Sequence, residues 1–203
     1  MKGMLVIISG PSGSGKGTVV KRLDNGGVYA LSISVTTRDR RPHERDGRDY
    51  FFCTTEEFER KRDNNELLEH WLYCGNYYGT PKSYVEEQIF LGKAVVLEIE
   101  VNGALQVKDK FSEAILVFLM PPSMAELKQR LISRNTEDTA SIDDRMKVAE
   151  EEIKLIEKYD YLVINDDVDA AASRIDTIVA SESLRPKRNA EKIEKLKGED
   201  YRC

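Results

Sequence analysis

Cysteine, histidine and tryptophan are scarce in this chain, which has three, two and one of them in 203 residues. The three cysteines, Cys53, Cys74 and Cys203, are odd in number and widely spaced. This spacing excludes a disulfide framework and a cysteine-rich metal site, and it favours free thiols in a reducing compartment. No apolar run approaches membrane-spanning length, and the chain enters a predicted strand without a secretory signal. We expect a cytoplasmic protein with no membrane partner.

An excess of positive charge is also missing, because the net charge is −5 with 33% charged residues. Broad nucleic-acid binding needs a net basic face, so no nucleic-acid partner is expected. The length suits one domain with a sizeable core, and we predict a single domain over residues 1–203. The sequence leaves both a monomer and a homodimer open.

A glycine-rich loop is the most informative stretch of the chain. It follows the apolar run 4–8, leads into a helical pattern at 19–23, and consists of Gly10, Pro11, Ser12, Gly13, Ser14, Gly15, Lys16, Gly17 and Thr18. Glycines at this spacing let backbone N–H groups surround an anion, and the lysine adds an ammonium for the outer phosphates. The motif predicts nucleoside triphosphate binding; a ligand-free turn between strand and helix is the structural alternative.

The metal ligands are less determined than the phosphate ligands. Gly17 occupies the position where a Ser or Thr usually offers its hydroxyl to Mg²⁺. We therefore expect Mg²⁺ to be held by nucleotide oxygens and water, with no firm protein ligand and Glu98 as the one candidate carboxylate.

Strands and helices alternate along the chain, which predicts an α/β fold with a parallel five-stranded sheet flanked by helices. The expected core comprises residues 1–35, 94–122 and 159–186, with strands at 4–8, 28–35, 94–101, 114–119 and 161–167 and a helix at 169–183. In the third of these strands, period-two alternation places Glu98 and Glu100 on one face at the carboxyl end, where ligands bind in open α/β sheets.

Residues 36–93 break this alternation and predict a small inserted α+β lobe with antiparallel strands. We expect strands at 50–53 and 67–73, helices at 55–63 and 82–91, and a turn at 75–81. The stretch 36–50 carries five arginines. Alone it would be a solvated charged loop, but beside a phosphate-binding loop its arginines suit a second phosphate group.

Two further helices are predicted at 123–133 and 142–158, joined by a polar crossing. They carry Arg130 and Arg145, with Arg134 just after the first helix, and together they form an expected lid over about 123–158. A lid excludes water from a transferring phosphoryl group. The tail 187–203 has few apolar residues and predicts a surface helix or a frayed end.

Taken together, these motifs resemble the guanylate kinase family over residues 4–183. The resemblance rests on the glycine loop, on Ser34 to Arg38 with Arg41, Gly47 and Tyr50, on Gly75 to Gly79, and on Leu97 to Glu100 with Gly103. It implies transfer of the γ-phosphoryl group of ATP to GMP, giving ADP and GDP, with Mg²⁺ and under a closing lid. The chain departs from the family pattern at His43, Asn135, Glu98 and Glu100, where glycine, glycine and aspartates are common.

The resemblance also implies site residues. For the GMP phosphate it gives Arg38, Arg41, Tyr50 and Tyr78; for guanine, Ser34, Glu69 and Thr80; Glu98 and Glu100 complete the GMP site. For ATP it gives Gly10 to Thr18 and Asn165, and for catalysis Lys16, Arg130, Arg134 and Arg145. One ionised carboxylate at Glu69 can accept both N1–H and the 2-amino group of guanine, a donor pair that adenine lacks.

Two other functions remain as alternatives. One is a guanylate kinase-like module that has lost catalysis and binds phosphopeptides, which the intact glycine loop and lid arginines disfavour. The other is a kinase for a different nucleotide, which Glu69 disfavours. His70, Trp71, Cys53 and Cys74 are predicted to serve packing only.

Overall fold

The computed structural model describes residues 3–23, 27–73, 75–133 and 139–198, and within them nine strands form two sheets. The strands are β1 (Met4–Ser9), β2 (Tyr29–Leu31), β3 (Val35–Thr36), β4 (Phe51–Phe52), β5 (Leu67–Tyr73), β6 (Asn76–Pro81), β7 (Ala94–Glu98), β8 (Ile115–Met120) and β9 (Tyr161–Ile164). The helices are α1 (Lys16–Arg22), α2 (Thr55–Asp63), α3 (Lys82–Phe90), α4 (Val101–Lys110), α5 (Met124–Ser133), α6 (Thr139–Ile153), α7 (Val168–Ser183) and α8 (Ala190–Gly198).

The larger sheet has the order β2-β7-β1-β8-β9, and all of its strand pairs are parallel. This confirms the predicted α/β fold with a five-stranded parallel sheet. Its central strands β1 and β8 are buried along their whole length, as continuous apolar runs in a doubly covered sheet should be. One face packs against α1 and α7 through Val19, Leu23 and Ile175. The other packs against α3 and α4 through Val85 and Val107.

The smaller sheet has the order β4-β3-β6-β5 and lies within residues 35–81. Its pairs β3–β6 and β5–β6 are antiparallel, but β3 and β4 are parallel, so the predicted antiparallel lobe is a mixed sheet. Helix α2 covers this sheet, with Phe58 fully buried and stacked on Tyr77 at 5.1 Å between ring centroids. The helix has its predicted bounds, because Thr54 and Glu57 form a capping box at its start.

One strand prediction and one turn prediction around the smaller sheet were wrong. The stretch 28–35 is not one strand, since β2 belongs to the larger sheet and β3 to the smaller one, and the chain crosses between them at Ser32 to Ser34. The stretch 75–81 is mostly strand β6 and not a turn, because Tyr77 and Tyr78 pair with β5. Only Gly75, with φ of 76°, has the left-handed backbone of a turn.

The strand predicted at 94–101 ends early, at Glu98. Glu100 is the residue that precedes the first turn of α4, a helix that the sequence did not predict. Glu98 and Glu100 therefore do not alternate along one strand face. They still lie together at the carboxyl end of β7, beside the glycine loop, as expected of a site at this sheet edge.

The helices that follow β8 lie close to their predicted positions. The hydroxyl of Ser123 accepts a hydrogen bond from the Glu126 amide at 3.1 Å at the start of α5. Helix α6 begins at Thr139 and ends at Ile153, and a separate 3-10 turn follows at Ile156–Lys158. The helix predicted at 142–158 therefore begins earlier than expected and does not continue to residue 158. Helix α8 confirms the surface helix predicted for the tail.

Several predictions concern residues outside the described ranges, namely those for Cys74, Arg134, Asn135 and Cys203. No helix in the described part of the chain is long and apolar enough to cross a membrane.

Candidate active site

The glycine loop joins β1 to α1 at the carboxyl edge of the larger sheet. Gly10, Gly13 and Gly15 have φ of 141°, 92° and 93°, which L side chains rarely adopt. A Cβ at Gly10 would also lie 2.2 Å from the carbonyl oxygen of Leu119. Lys16 Nζ donates to the carbonyl oxygens of Gly10 at 2.6 Å and Pro11 at 3.2 Å. The loop thus encloses the Lys16 ammonium group, and Lys16 as a whole is only 8% exposed.

Asn165 and Arg130 attach two other elements to this loop. The Asn165 side-chain amide donates to the carbonyl oxygen of Ser14 at 2.8 Å. Arg130 donates from Nη2 to the Asn165 carbonyl oxygen at 3.0 Å and from Nη1 to that of Ser14 at 3.5 Å. A Cβ at Gly15 would lie 2.3 Å from Asn165 Nδ2, so this contact requires glycine. The structure therefore places both predicted residues at the loop.

A cavity of about 270 Å³ opens beside this contact. It is lined by Gly13, Gly15, Thr18, Arg130, Ser133, Asn165, Asp166 and Val168. Its lining comes from the glycine loop, α1, α5 and the chain after β9, and such a cavity suits the nucleoside end of a bound triphosphate.

Arg145 approaches the loop from α6. Its Nη1 donates to the hydroxyl of Ser12 at 3.4 Å. Arg130 on α5 and Arg145 on α6 therefore converge on one phosphate-binding loop, and both guanidinium groups are suited to bind phosphate oxygens. Arg134, the third predicted lid arginine, lies outside the described residues.

Glu98 lies against the first turn of α1. A Cβ at Gly17 would be 3.3 Å from both carboxylate oxygens of Glu98. Among the residues that the structure describes, no group of three or more His, Cys, Asp or Glu could hold a metal ion. Glu98 supplies a carboxylate beside the glycine loop, and carboxylate oxygens are ligands that Mg²⁺ uses.

Glu152 is a residue of this site that the sequence analysis missed. It lies on α6 two turns after Arg145, so the same helix face carries both towards the loop. The pKa of Glu152 is raised to about 7, chiefly by burial and also by the charge of Glu100, while Lys16 acts to lower it. The charges of Glu100 and Lys16 therefore act on the Glu152 carboxyl. The seven-residue spacing from Arg145 was the available signal.

A second cavity, of about 180 Å³, lies between the two sheets. Its lining consists of Ser34, Tyr50, Glu69, Trp71, Tyr78, Glu98, Ile99, Glu100 and Gly103. Six of the nine predicted GMP-site residues are in that set. The structure thus gathers side chains from β5, β6, β7, α4 and the chain around β3 and β4 into one pocket.

Glu69 is the most buried acid of this pocket, at 3% exposure. Burial raises the pKa of its carboxyl to about 7, although a hydrogen bond from Thr80 and the charge of Lys110 act to lower it. The Thr80 hydroxyl donates to Glu69 Oε1 at 2.8 Å. Gly103 of α4 leaves room on the other side, since a Cβ there would lie 3.0 Å from Oε2. Thr80 and Glu69 are therefore direct partners.

Arg38 is held by a carboxylate that the sequence analysis also missed. Glu44 accepts from Arg38 Nη2 at 2.7 Å and 3.0 Å and from the Arg41 amide at 2.9 Å. Burial acts to raise the pKa of Glu44, but these hydrogen bonds outweigh it and the pKa is lowered. Glu44 therefore stays ionised and orients Arg38. Its only signal in sequence was its position in the arginine-rich loop.

The other predicted ligands of the GMP phosphate, Tyr50, Tyr78 and Arg41, differ in how close they lie to Arg38 and in how exposed they are. The Arg38 guanidinium lies 5.5 Å from the ring centroid of Tyr50, and the Tyr50 and Tyr78 rings are 6.1 Å apart. The Arg41 side chain is 63% exposed, with Nη1 3.8 Å from Glu44. Arg38, Tyr50 and Tyr78 thus form one cluster, whereas Arg41 lies at its solvent edge.

The structure places Trp71, which was predicted to serve packing only, at the pocket and not in the core. Trp71 lines the cavity together with Glu69 and Tyr78 and is 38% exposed. Cys53, in contrast, packs against the cluster of Val35, Phe58 and Leu67 and is a free thiol, as predicted.

The fold and the site define the class of the protein. A parallel sheet, a glycine loop closed on a lysine, and arginines converging from two helices are the elements of a P-loop kinase. The family model described as guanylate kinase matches residues 2–182. The chain belongs to the guanylate kinase family, which confirms the resemblance and supports ATP-dependent phosphorylation of GMP as its activity.

Individual relatives agree with this assignment. The chain is 51% identical over 196 residues to guanylate kinase of Oceanobacillus iheyensis, covering 96% of this chain and 95% of that protein. It is 49% identical over 197 residues to guanylate kinase of Bacillus subtilis, covering 96% and 97%. It is also similar to the crystal structure of guanylate kinase from Anaplasma phagocytophilum, with a TM-score of 0.75, 35% identity and coverage of 91% and 88%.

Proposed function

We propose that the chain transfers the γ-phosphoryl group of ATP in line to GMP, with Mg²⁺, while a lid formed by about residues 123–158 closes over the site. One observation carries this proposal. The cavity that contains Glu69 shares Ser34, Tyr50, Glu98, Ile99 and Glu100 with a smaller cavity of about 140 Å³ that contains Lys16. The acceptor pocket therefore opens directly onto the phosphate-binding loop.

The donor side of the proposal rests on the loop and its neighbours. Residues Gly10 to Thr18 bind the ATP phosphates through backbone N–H groups and Lys16, and Asn165 lies beside the donor nucleoside. Arg130, Arg134 and Arg145 complete the positive charge around the transferring group. Such charges stabilise the transition state because they are already in place when negative charge moves between the nucleotides.

The acceptor side rests on the pocket within the lobe 36–93. The ionised Glu69 carboxylate accepts N1–H and the 2-amino group of guanine, and Ser34 offers its hydroxyl to the base. Thr80 orients Glu69 by donating its hydroxyl proton to the carboxylate. Arg38, Arg41, Tyr50 and Tyr78 bind the GMP phosphate, and Glu44 keeps Arg38 in place. Because the GMP phosphate itself attacks, no side-chain nucleophile is needed and catalysis consists of positioning and electrostatic stabilisation.

Mg²⁺ fits this arrangement as a cofactor that arrives with ATP. When bound, it neutralises negative charge on the phosphoryl oxygens. Glu98, against the first turn of α1, is the carboxylate positioned to orient a water in its shell, and Glu100 lines the same two cavities as Glu98.

Two variants on α5 and α1 test the donor assignment. Lys16→Ala and Arg130→Ala should each lower kcat by roughly 10² to 10³, as loss of one preorganised transition-state donor does. GMP affinity, measured by calorimetry, should stay within about threefold because neither side chain lines the Glu69 pocket.

Lys128→Ala is the matched control, since Lys128 lies on α5 and pairs with Asp143 in solvent. Its kcat should equal that of the unchanged protein. Full turnover in the Lys16 and Arg130 variants would refute the donor assignment. GMP binding with no ADP formation from the unchanged protein would instead favour the non-catalytic binding module.

A further inference from the structure

One aromatic side chain that lines the acceptor pocket, Trp71, has no role in the GMP assignment. Trp71 lies on β5, two residues after Glu69, and both side chains line the same cavity. In the β5–β6 ladder Trp71 is paired with Tyr78, and Glu69 receives the Thr80 hydrogen bond. The four side chains thus form two neighbouring rows on one face of the sheet.

These rows order the pocket from base to phosphate. The Glu69–Thr80 row supplies the carboxylate for guanine, and the Trp71–Tyr78 row is next along both strands. Tyr78 continues towards the phosphate cluster, since its ring lies 6.1 Å from that of Tyr50. Trp71 therefore lies between the base carboxylate and the phosphate ligands, at the level of the nucleoside.

We infer that Trp71 is a substrate-contacting residue whose indole packs against the nucleoside part of the GMP acceptor. Trp71 is 38% exposed, whereas its neighbour Glu69 is 3% exposed. Part of the indole surface is therefore not buried in the protein core. Large aromatic side chains that line such a pocket bind a nucleobase or sugar through apolar contact and stacking. This inference rests on the proposed GMP pocket.

The contribution of such stacking contacts to the free energy of binding is known. Replacing the aromatic residue by alanine costs about 1–3 kcal/mol per base. The lower end of that range suits a pocket residue that stays partly exposed, and it corresponds to roughly a five- to tenfold loss of affinity, since 1.4 kcal/mol is about tenfold.

The contact can be tested with Trp71→Ala and Trp71→Phe. Trp71→Ala should raise KM for GMP roughly tenfold and leave KM for ATP unchanged, and Trp71→Phe should stay within about threefold of the unchanged protein because the ring is kept. Guanosine, used as a competitive inhibitor without a phosphate, should lose affinity by the same factor as GMP.

Leu72→Ala is the control. Leu72 is the next residue of β5, points to the other face and is 53% exposed, so its removal should leave both KM values unchanged. An equal change of KM for ATP and GMP in Trp71→Ala, or a GMP effect without a guanosine effect, would overturn the inference. Trp71→Phe decides the case if the alanine variant does not fold.

Trp71 also provides a direct optical readout because it is the chain's single tryptophan. Adding GMP should change its fluorescence in a saturable way, with the same dissociation constant that calorimetry gives. Saturating GMP with no fluorescence change would contradict the contact.

A Glu69→Gln variant separates this inference from the pocket assignment. If Glu69→Gln weakens GMP binding and Trp71→Ala does not, the inference on Trp71 fails and the pocket stands. If neither variant changes GMP affinity, the pocket assignment itself fails.

Discussion

Glu69 is an ionisable side chain in a place where its charge is unfavourable for folding. It is 3% exposed, and its pKa is raised to about 7 from an ordinary value of 4.5, chiefly by burial. Between these two pH values the folded chain binds more protons than the unfolded chain, so stability falls as the pH rises through this window and stays reduced above it. The ionised carboxylate therefore does not stabilise the fold, in keeping with the proposed role of Glu69 in binding guanine.

Glu69→Gln should stabilise the fold where the carboxylate is ionised. At pH 8 the free energy of unfolding should rise by about 2 kcal/mol, because the neutral amide avoids the burial of a charge and can still accept from Thr80. At pH 4.5 and below the difference should vanish. Urea unfolding at both pH values measures this, with Glu150→Gln on the exposed part of α6 as the control. Equal stabilisation at both pH values would contradict the account.

Glu44 differs from Glu69 because it orients another side chain, the Arg38 guanidinium, which is proposed to bind the GMP phosphate. Glu44→Gln should raise KM for GMP by roughly tenfold, the size of a lost charge-assisted hydrogen bond to Arg38. KM for ATP should not change, since the Arg38–Glu44 pair lies within the acceptor lobe. Steady-state kinetics with each substrate varied in turn makes the comparison; an equal rise in both constants would argue against a positioning role.

At the scale of elements, a buried ion pair fixes the C-terminal segment to α7. Arg188, in the 3-10 turn Pro186–Arg188, has a side chain 3% exposed and Nε 3.7 Å from Glu182, whose side chain is 4% exposed. Glu182 also accepts from the Tyr161 hydroxyl at 2.7 Å, and Arg188 Nη2 donates to the Glu113 carbonyl oxygen at 3.1 Å. The turn before α8 is therefore tied to β9 and to the loop before β8.

Arg188→Ala should destabilise the protein by about 3 kcal/mol, because it leaves the buried Glu182 carboxylate with fewer partners. Lys197→Ala on α8 removes only the exposed pair with Glu194, and its effect should stay within about 0.5 kcal/mol. Urea unfolding of the two variants tests the contrast. If both changes had the same small effect, the buried pair would not anchor the segment.

Elements were predictable from sequence where one local signal determines them. The apolar runs of β1 and β8 and the capping box of α2 are such signals. The crossing at Ser32 to Ser34 was not predictable, because the residues on both sides suit a strand and only the tertiary structure assigns them to different sheets. Helix α4 was missed because the apolar alternation of β7 continues up to its first residue, Val101.

At the scale of the whole molecule, the site residues follow the same division. Lys16, Glu69 and the arginines were identified as candidates by motif spacing and family resemblance, and their roles stay predictions. Trp71, Glu44 and Glu152 were not identified, since each acquires its role from long-range geometry: the β5–β6 register, the folding back of the arginine-rich loop, and the packing of α6 over the glycine loop. A sequence shows the residue types but not these contacts.

In the molecule as a whole, a cavity that contains Lys16 and a cavity that contains Glu69 meet at Glu98 and Glu100. We propose that the first belongs to the donor nucleotide and the second to the acceptor. This arrangement makes base selection at Glu69 separable from phosphoryl transfer at Lys16, so the two should respond to different variants.

The most direct test is the ratio of kcat/KM for GMP to that for AMP, from ADP formation with ATP and Mg²⁺, in the unchanged protein and in Glu69→Gln. We expect the unchanged protein to prefer GMP by roughly 10⁴ or more, since a pocket built for a hydrogen-bond donor pair rejects a base that lacks it. In Glu69→Gln the ratio should fall by about 10² or more, through KM for GMP. An unaltered preference in Glu69→Gln would contradict the account of how this protein selects its acceptor.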